Sequence, residues 1–453
     1  MKELPGGFSE RGALARAPLW GGLSLLFLIP LSWPVRALSE GTRADRLWVF
    51  VLFALLFAGA LGVFLLCRRA PISFRTALAA AAVLAAALLV RAACLDHRTN
   101  DYDAFLSHWV SYLRAHGGFS SLATLPSDYN VPYLYLLSFF AALPLRDLYL
   151  IKFASVAADV LLAFAVCALG RRLGVGDERR LALLALVLMA PTVWLNSAFW
   201  AQCDAMYTLF VVLCLHFIVG KRPGAAMSMA GLALAFKLQA VFFFPVLAIL
   251  LFRRRIRWVH ALWCPGAFFA VSLPALFVGR PLVSLFSVYY TQMNQYSQYL
   301  NLNAPSLFAW LPDTAPTAPF FMAGIACAAL FALFLFYRFS DPAQPLPDRS
   351  LAALSFLCCV GLPWMLPSMH ERYFYMADVF SLLYVMLQPR RWYLAPLTLY
   401  ASYAGYHAYL FQAYLPFSMW LPALLLLPVV AHLTREMLSI RARAAPGPAQ
   451  DNG

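Results

Sequence analysis

Acidic residues are scarce in this chain: 20 Asp and Glu stand among 453 residues, against 34 Lys and Arg. Charged residues of both signs make up 12% of the sequence, where a soluble domain carries about 25%. That shortage excludes a soluble enzyme held by one anchor. No CxxC spacing occurs, and most cysteines sit inside apolar runs, as Cys167, Cys214, Cys327, Cys358 and Cys359 do. A disulfide framework and a paired-cysteine metal site are thereby excluded, and the cysteines are read as small hydrophobes. The net charge of +14 lies mostly in short loops, so no nucleic-acid partner is expected. No small-residue cleavage site follows the first apolar run, which is therefore read as a retained helix.

What the chain has instead is apolar residues, 63% of the total, with a mean hydropathy of +0.73. Apolar runs recur from Leu19 to Leu433, each near the ~20 residues that cross a bilayer. The expected fold is all-α and polytopic, one integral membrane domain over residues 1–453. Basic clusters fall at Arg68-Arg69, Arg171-Arg172 with Arg179-Arg180, Lys221-Arg222, Arg253 to Arg257, Arg390-Arg391 and the tail from Arg435. The positive-inside rule places them in the cytoplasm. A first large outer loop is then expected over 96–130, a second over 279–318, and a disordered cytoplasmic tail over 440–453. Two stretches resist simple counting. Val131 to Leu143 is too short to span and is read as a helix dipping into the outer leaflet. Ala225 to Phe252 has basic flanks and is interrupted by "FKLQ", which predicts two half-helices meeting at Lys237. The count is about 12 transmembrane helices plus the broken pair, with amphipathic helices in the outer loops.

The rare polar groups concentrate on the expected outer side: Asp101, Asp103, His108, Asp128, Gln202, Asp204, Gln292, Asn294, Asn301, Asn303, His370, Glu371 and Arg372, with Lys237 deeper. An ionisable group within a span costs roughly 3 kcal/mol or more on insertion scales. Such groups are kept near a cavity, a partner or a substrate. In "TNDYDAFLSHW" two carboxylates follow the end of an apolar helix. One of them suits a general base acting on a hydroxyl; the alternative is a helix cap before an amphipathic segment with Phe105, Trp109 and Leu113 on one face. In "FWAQCDAMY", Asp204 is either a cap or a substrate contact. Lys237 in "GLALAFKLQ" calls for an anion or a cluster of carbonyls, or else snorkels to the interface. In "LPSMHERYFYMADVF", His370, Glu371 and Arg372 suit a phosphate, or serve as interfacial anchors. No second His follows at helical spacing, so the His-Glu pair is not a metal motif.

In this order, "DYDAFLSHW", "SDYNVPYLYLL", "FWAQCDAMYTLF", "AFKLQ", "LNAPSLFAWLP" and "MHERYFY" resemble the GT-C superfamily of membrane glycosyltransferases. The likeness is to bacterial relatives of the GPI mannosyltransferases and to the dolichyl-phosphate-glucose-dependent glucosyltransferases, and it runs from Asp101 to Tyr375. The resemblance implies a polyprenyl-phosphate-linked hexose donor, a glycan or lipid-linked acceptor, and a site on the outer face of the plasma membrane. It implies Asp101 as catalytic base and Asp103 as a second catalytic acid, a divalent-metal ligand in some members while others need no metal. It implies substrate contacts from His108, Asp128, Tyr129, Gln202, Asp204, Lys237, Gln239, Asn303, His370, Glu371 and Arg372. The family's "YPP" is here "YNVP", so Asn130 and Val131 depart from the pattern beside the donor. Two other readings use the same polar groups. A transporter or flippase of a lipid-linked saccharide would need them on both faces, and a non-catalytic envelope partner would not need Asp101 as a base.

Overall fold

The computed structural model describes residues 17–66, 72–312 and 314–442. The Arg68-Arg69 cluster and the tail from 443 onward lie outside the described residues. Three helices open the fold: α1 (Ala17–Ala37), α2 (Arg43–Leu66) and α3 (Phe74–Ala93), packed on one another. A π-helical turn at Tyr102–Leu106 leads into α4 (Ser107–Ala115). Next come α5 (Val131–Ala141), α6 (Asp147–Arg172) and α7 (Asp177–Met189). Pro191 ends α7, since its ring and missing N–H break the helical ladder, and the chain continues as Pro191–Phe199 after a bend of 48°.

The second half comprises α8 (Asp204–Val219), α9 (Pro223–Phe236), α10 (Leu238–Phe252) and α11 (Trp258–Phe277). It continues with α12 (Ser284–Asn294), α13 (Thr317–Phe339), α14 (Asp348–Met365), α15 (Tyr375–Leu387), α16 (Leu394–Leu410) and α17 (Trp420–Ala442). Among the described residues the only sheet is a parallel pair of two-residue strands, Asn301–Leu302 beside Met369–His370.

This is an all-α membrane protein. Helices α1, α11 and α13 turn bulky apolar side chains outward, among them Ile29, Trp33, Phe277 and Leu333. Such a continuous apolar exterior suits hydrocarbon and not water. Helices α14 and α15 are buried along nearly their whole length and form the centre. Among the described residues seven helices are long and apolar enough to cross a bilayer, or eight if α7 and its bent continuation make one span. That is fewer than the twelve expected, because interior apolar runs counted as spans fold as shorter helices, α8, α15 and α16.

Chain breaks fall where the sequence marks them. Helix α9 ends at Lys237, whose backbone is extended (φ −157°, ψ 137°), and α10 opens with a 3-10 turn. The two segments form a hairpin: Lys237 reaches Asp204 at the start of α8, while Arg255 beyond α10 pairs with Asp348 at the start of α14. Gly231 lets α9 lie directly on α11, since a Cβ there would collide with the carbonyl oxygen of Cys264. Helix α5 has 11 residues, or about 16 Å, roughly half of a ~30 Å hydrocarbon core. Both its flanks stay at one end of the bundle: Asn130 donates to Tyr289, and Asp147 accepts from Tyr102. The loops of that end surround a cavity. At the other end the basic loops join, with Arg253 on the carbonyls of Phe339 and Asp341, and Arg349 on that of Leu173.

Candidate active site

Asp101 is placed by a laced segment after α3. The C-terminus of a helix leaves carbonyls without partners and carries partial negative charge. Lys152, fully buried on α6, ties down the cap and the turn that follows it: its Nζ donates to the carbonyls of Cys94 (2.9 Å), Leu95 (3.1 Å) and His97 (2.5 Å). The His97 ring stacks on Phe199 with centroids 3.6 Å apart, and Thr99 Oγ1 donates to the carbonyl of Trp200 at 3.2 Å. Asp101 has helical backbone angles and makes no capping bond. Its carboxylate turns instead into the cavity, so the cap reading does not apply.

The opposing wall is the bent segment after Pro191. Buried polar groups hold it. Arg91 Nε meets Asp159 Oδ2 at 2.8 Å, and the same oxygen accepts from Ser197 at 2.5 Å, while Arg91 Nη1 donates to the carbonyl of Leu188 at 2.9 Å. Asn196 donates to Asp204 Oδ2 (2.6 Å) and to the Tyr406 hydroxyl (2.9 Å). Ala201 then takes a left-handed conformation (φ 67°), uncommon outside glycine. That reversal presents Trp200 and Gln202 on either side of it to Asp101.

The cavity measures about 250 Å³. Asp101 accepts three hydrogen bonds: from Tyr409 at 2.5 Å on Oδ1, and from Trp200 Nε1 (3.0 Å) and Gln202 Nε2 (2.8 Å) on Oδ2. An ionised carboxylate has about four acceptor positions, so one position on Oδ1 is left for an incoming donor. Arg372 stands 3.7 Å from Asp101, 3.3 Å from Glu371 and 4.0 Å from Asp204, over the face of Trp200. Lys237 is in contact with Asp204 and lies 5.6 Å from the centre of the Tyr129 ring. The Tyr129 hydroxyl donates to Gln202 at 2.9 Å, and Gln239 lies beside Tyr373. The short strand pair draws Asn303 and His370 together, and His370 packs against Tyr296 and Tyr373.

Burial sets the protonation of this loop set. It pushes Glu371 up to about 7, with Arg372 pulling the other way, and it raises Asp128 as well, with Gln295 pulling the other way. Burial, together with Arg372 and Lys237, holds His370 well below its usual value, so its imidazole is neutral.

Of the residues singled out from the sequence, the cavity is lined by Asp101, Asp128, Tyr129, Gln202, Lys237, Gln239, Asn303, His370, Glu371 and Arg372. Asp204 is buried just behind them. It is the first residue of α8 and not its cap, and it supplies the anion that Lys237 requires. Two residues are not brought there. Asp103 points away and pairs with Arg98 at 2.5 Å, and His108 is exposed on the outside of α4. Among the described residues no three of His, Cys, Asp and Glu gather as a ligand set. Asp103 is paired with Arg98 and turned from the cavity, so it offers no free carboxylate to a divalent ion there. The sequence reading passed over Trp200, Tyr409, Tyr296 and Lys152. For Lys152, as for Arg91 and Asp159, the signal exists: an ionisable residue inside an apolar run.

The cavity thus brings one oriented carboxylate together with two cations. Residues 128–363, just over half of the chain, match the sequence model of Glycosyltransferase family 87. The chain belongs to this family and is a membrane glycosyltransferase. No curated protein matches it. The matched segment contains Asp128, Gln202, Asp204 and Lys237, while Asp101 precedes it. The family assignment favours a transferase over a transporter, and it names neither mannose nor glucose.

Proposed function

We propose that the protein is an inverting hexosyltransferase of GT-C type. It would take a mannose- or glucose-type hexose from a polyprenyl-phosphate donor and pass it to a lipid-linked or envelope glycan on the outer face of the plasma membrane. The open acceptor position on Asp101 Oδ1, at the cavity and within reach of Arg372, carries the reading. Asp101 takes the proton of the acceptor hydroxyl. The hydroxyl oxygen bonds to the anomeric carbon as the bond from that carbon to the phosphate oxygen breaks. The electron pair leaves with polyprenyl phosphate, which gains one negative charge. Arg372, and Lys237 from its pair with Asp204, stabilise that charge where it develops. Neutral His370 offers a hydrogen bond without adding charge. Attack opposite the leaving group inverts the anomeric centre. The basic loops at the far end of the bundle support the outward orientation.

The test is incubation of the purified full chain with polyprenyl-phosphate mannose and polyprenyl-phosphate glucose and a membrane lipid extract, read by mass spectrometry. A product one hexose heavier, with release of polyprenyl phosphate, is expected. Donor left intact with both sugars would contradict the reading.

A further inference from the structure

A second hollow of about 430 Å³ opens beside the first and shares Phe105, Trp109 and Asp128 with it. Its other wall is α12, where Ser284, Ser287 and Thr291 fall on one face at helical spacing. The two walls differ in chemistry. On one side are aromatic edges, Phe105 and Trp109, 6.0 Å apart between centroids. On the other are hydroxyls, and those of Ser287 and Thr291 have no partner within the described protein and are exposed to the groove. The Trp109 ring lines both hollows, and its indole N–H has no protein partner among the described residues. Arg280, the cation on this wall among the described residues, is anchored through Nη1 on the Leu122 carbonyl at 2.8 Å and through Nε on Ser284 at 3.2 Å, and it keeps its charge because both acceptors are neutral.

We propose that this groove is the acceptor subsite and that its ligand is an uncharged saccharide. The inference rests on the transferase reading above and adds which side each substrate takes. A sugar ring has an apolar C–H face, which suits Phe105 and Trp109, and a rim of hydroxyls, which suits Asp128, Ser287, Thr291 and the Trp109 N–H. Lys237 and Arg372 bring two cations beside Asp101, against one anchored guanidinium in the groove, so the charged donor belongs with them. A lipid tail would leave the hydroxyl wall unpaired. Asp101 lies in the hollow shared by both substrates, where an acceptor hydroxyl arriving from the groove meets the open position on Oδ1.

The experiment is equilibrium binding of mannotetraose and of maltotetraose to the purified full chain, by saturation-transfer NMR, with no donor present. At least one is expected to bind. Ser287→Trp, which fills the groove with an indole, is expected to weaken that binding at least tenfold, and Thr291→Ala to weaken it severalfold without filling anything. Thermal melting confirms that each variant is folded. Binding of neither sugar, or wild-type binding by folded Ser287→Trp, overturns the proposal. No turnover is needed, so a chain that binds sugar but transfers none would sink the transferase reading alone.

Discussion

Lys237 and Asp204 act as one unit. Both are buried and in contact, with Asn196 holding the second oxygen of Asp204. Removing one charge from such a pair strands the other, at a cost of ~3–5 kcal/mol. Lys237→Met alone is therefore expected to lower the melting temperature sharply, and Lys237→Met with Asp204→Asn to recover a large part of the loss. The folded double variant should still bind polyprenyl-phosphate hexose more weakly than the wild type, because the ammonium also lines the cavity. A single variant as stable as the double would remove the pair from the account; undiminished donor binding would remove Lys237 from the phosphate. At this scale the sequence is partly legible. Asp101, Lys237 and Arg372 stand out because polar residues are rare in apolar surroundings. The pairing with Asp204 does not stand out, since it joins residues far apart along the chain and "CDAMY" reads equally well as a helix start. Tyr409 and Trp200 are hidden for another reason. Tyrosine and tryptophan are common at membrane interfaces, so their hydrogen bonds to Asp101 leave no mark in composition.

Two elements, the end of α3 and the bend after Pro191, together set the geometry around the carboxylate. Lys152 holds the first through three carbonyls, and Arg91, Asp159 and Ser197 hold the second. Lys152→Met would strand those carbonyls, costing ~1–3 kcal/mol. It is also expected to lower kcat with little change in donor KM, because it moves Asp101 and leaves Lys237 and Arg372 in place. Wild-type kcat in a destabilised Lys152→Met would reduce the lysine to a purely structural part. The break at Lys237 is legible, because "FKLQ" interrupts an apolar run between two basic flanks. The brevity of α5 is legible too, since Val131 to Leu143 is too short to span. The π-helical turn at Tyr102–Leu106 and the left-handed Ala201 are not. Both arise from packing between distant segments, and no local residue type announces them.

Across the whole molecule, the cavity and the basic loops occupy opposite ends. Among the described residues seven helices meet the length and hydropathy of a span, while hydropathy counting predicts about twelve. The difference has a physical source. Counting treats each apolar run as one straight crossing, but helices shielded by other helices can be short or broken, since protein rather than lipid surrounds their free backbone groups. The proposed sidedness rests on the basic loops and is open to direct test at Ser120, exposed in the 3-10 turn Gly118–Ala123. On a background without other accessible thiols, Ser120→Cys is expected to react with a membrane-impermeant maleimide in intact cells; labelling only after lysis would invert the orientation and the site with it. The central claim is that the carboxylate of Asp101 accepts the proton. Asp101→Asn keeps the shape, and its amide can still accept from Tyr409 or Trp200, but it cannot take up a proton. The decisive measurement is the rate of hexose transfer by this variant under saturating donor, with donor affinity measured alongside. The account predicts near-normal donor affinity and a rate lower by ~100- to 10,000-fold; transfer at the wild-type rate would contradict it.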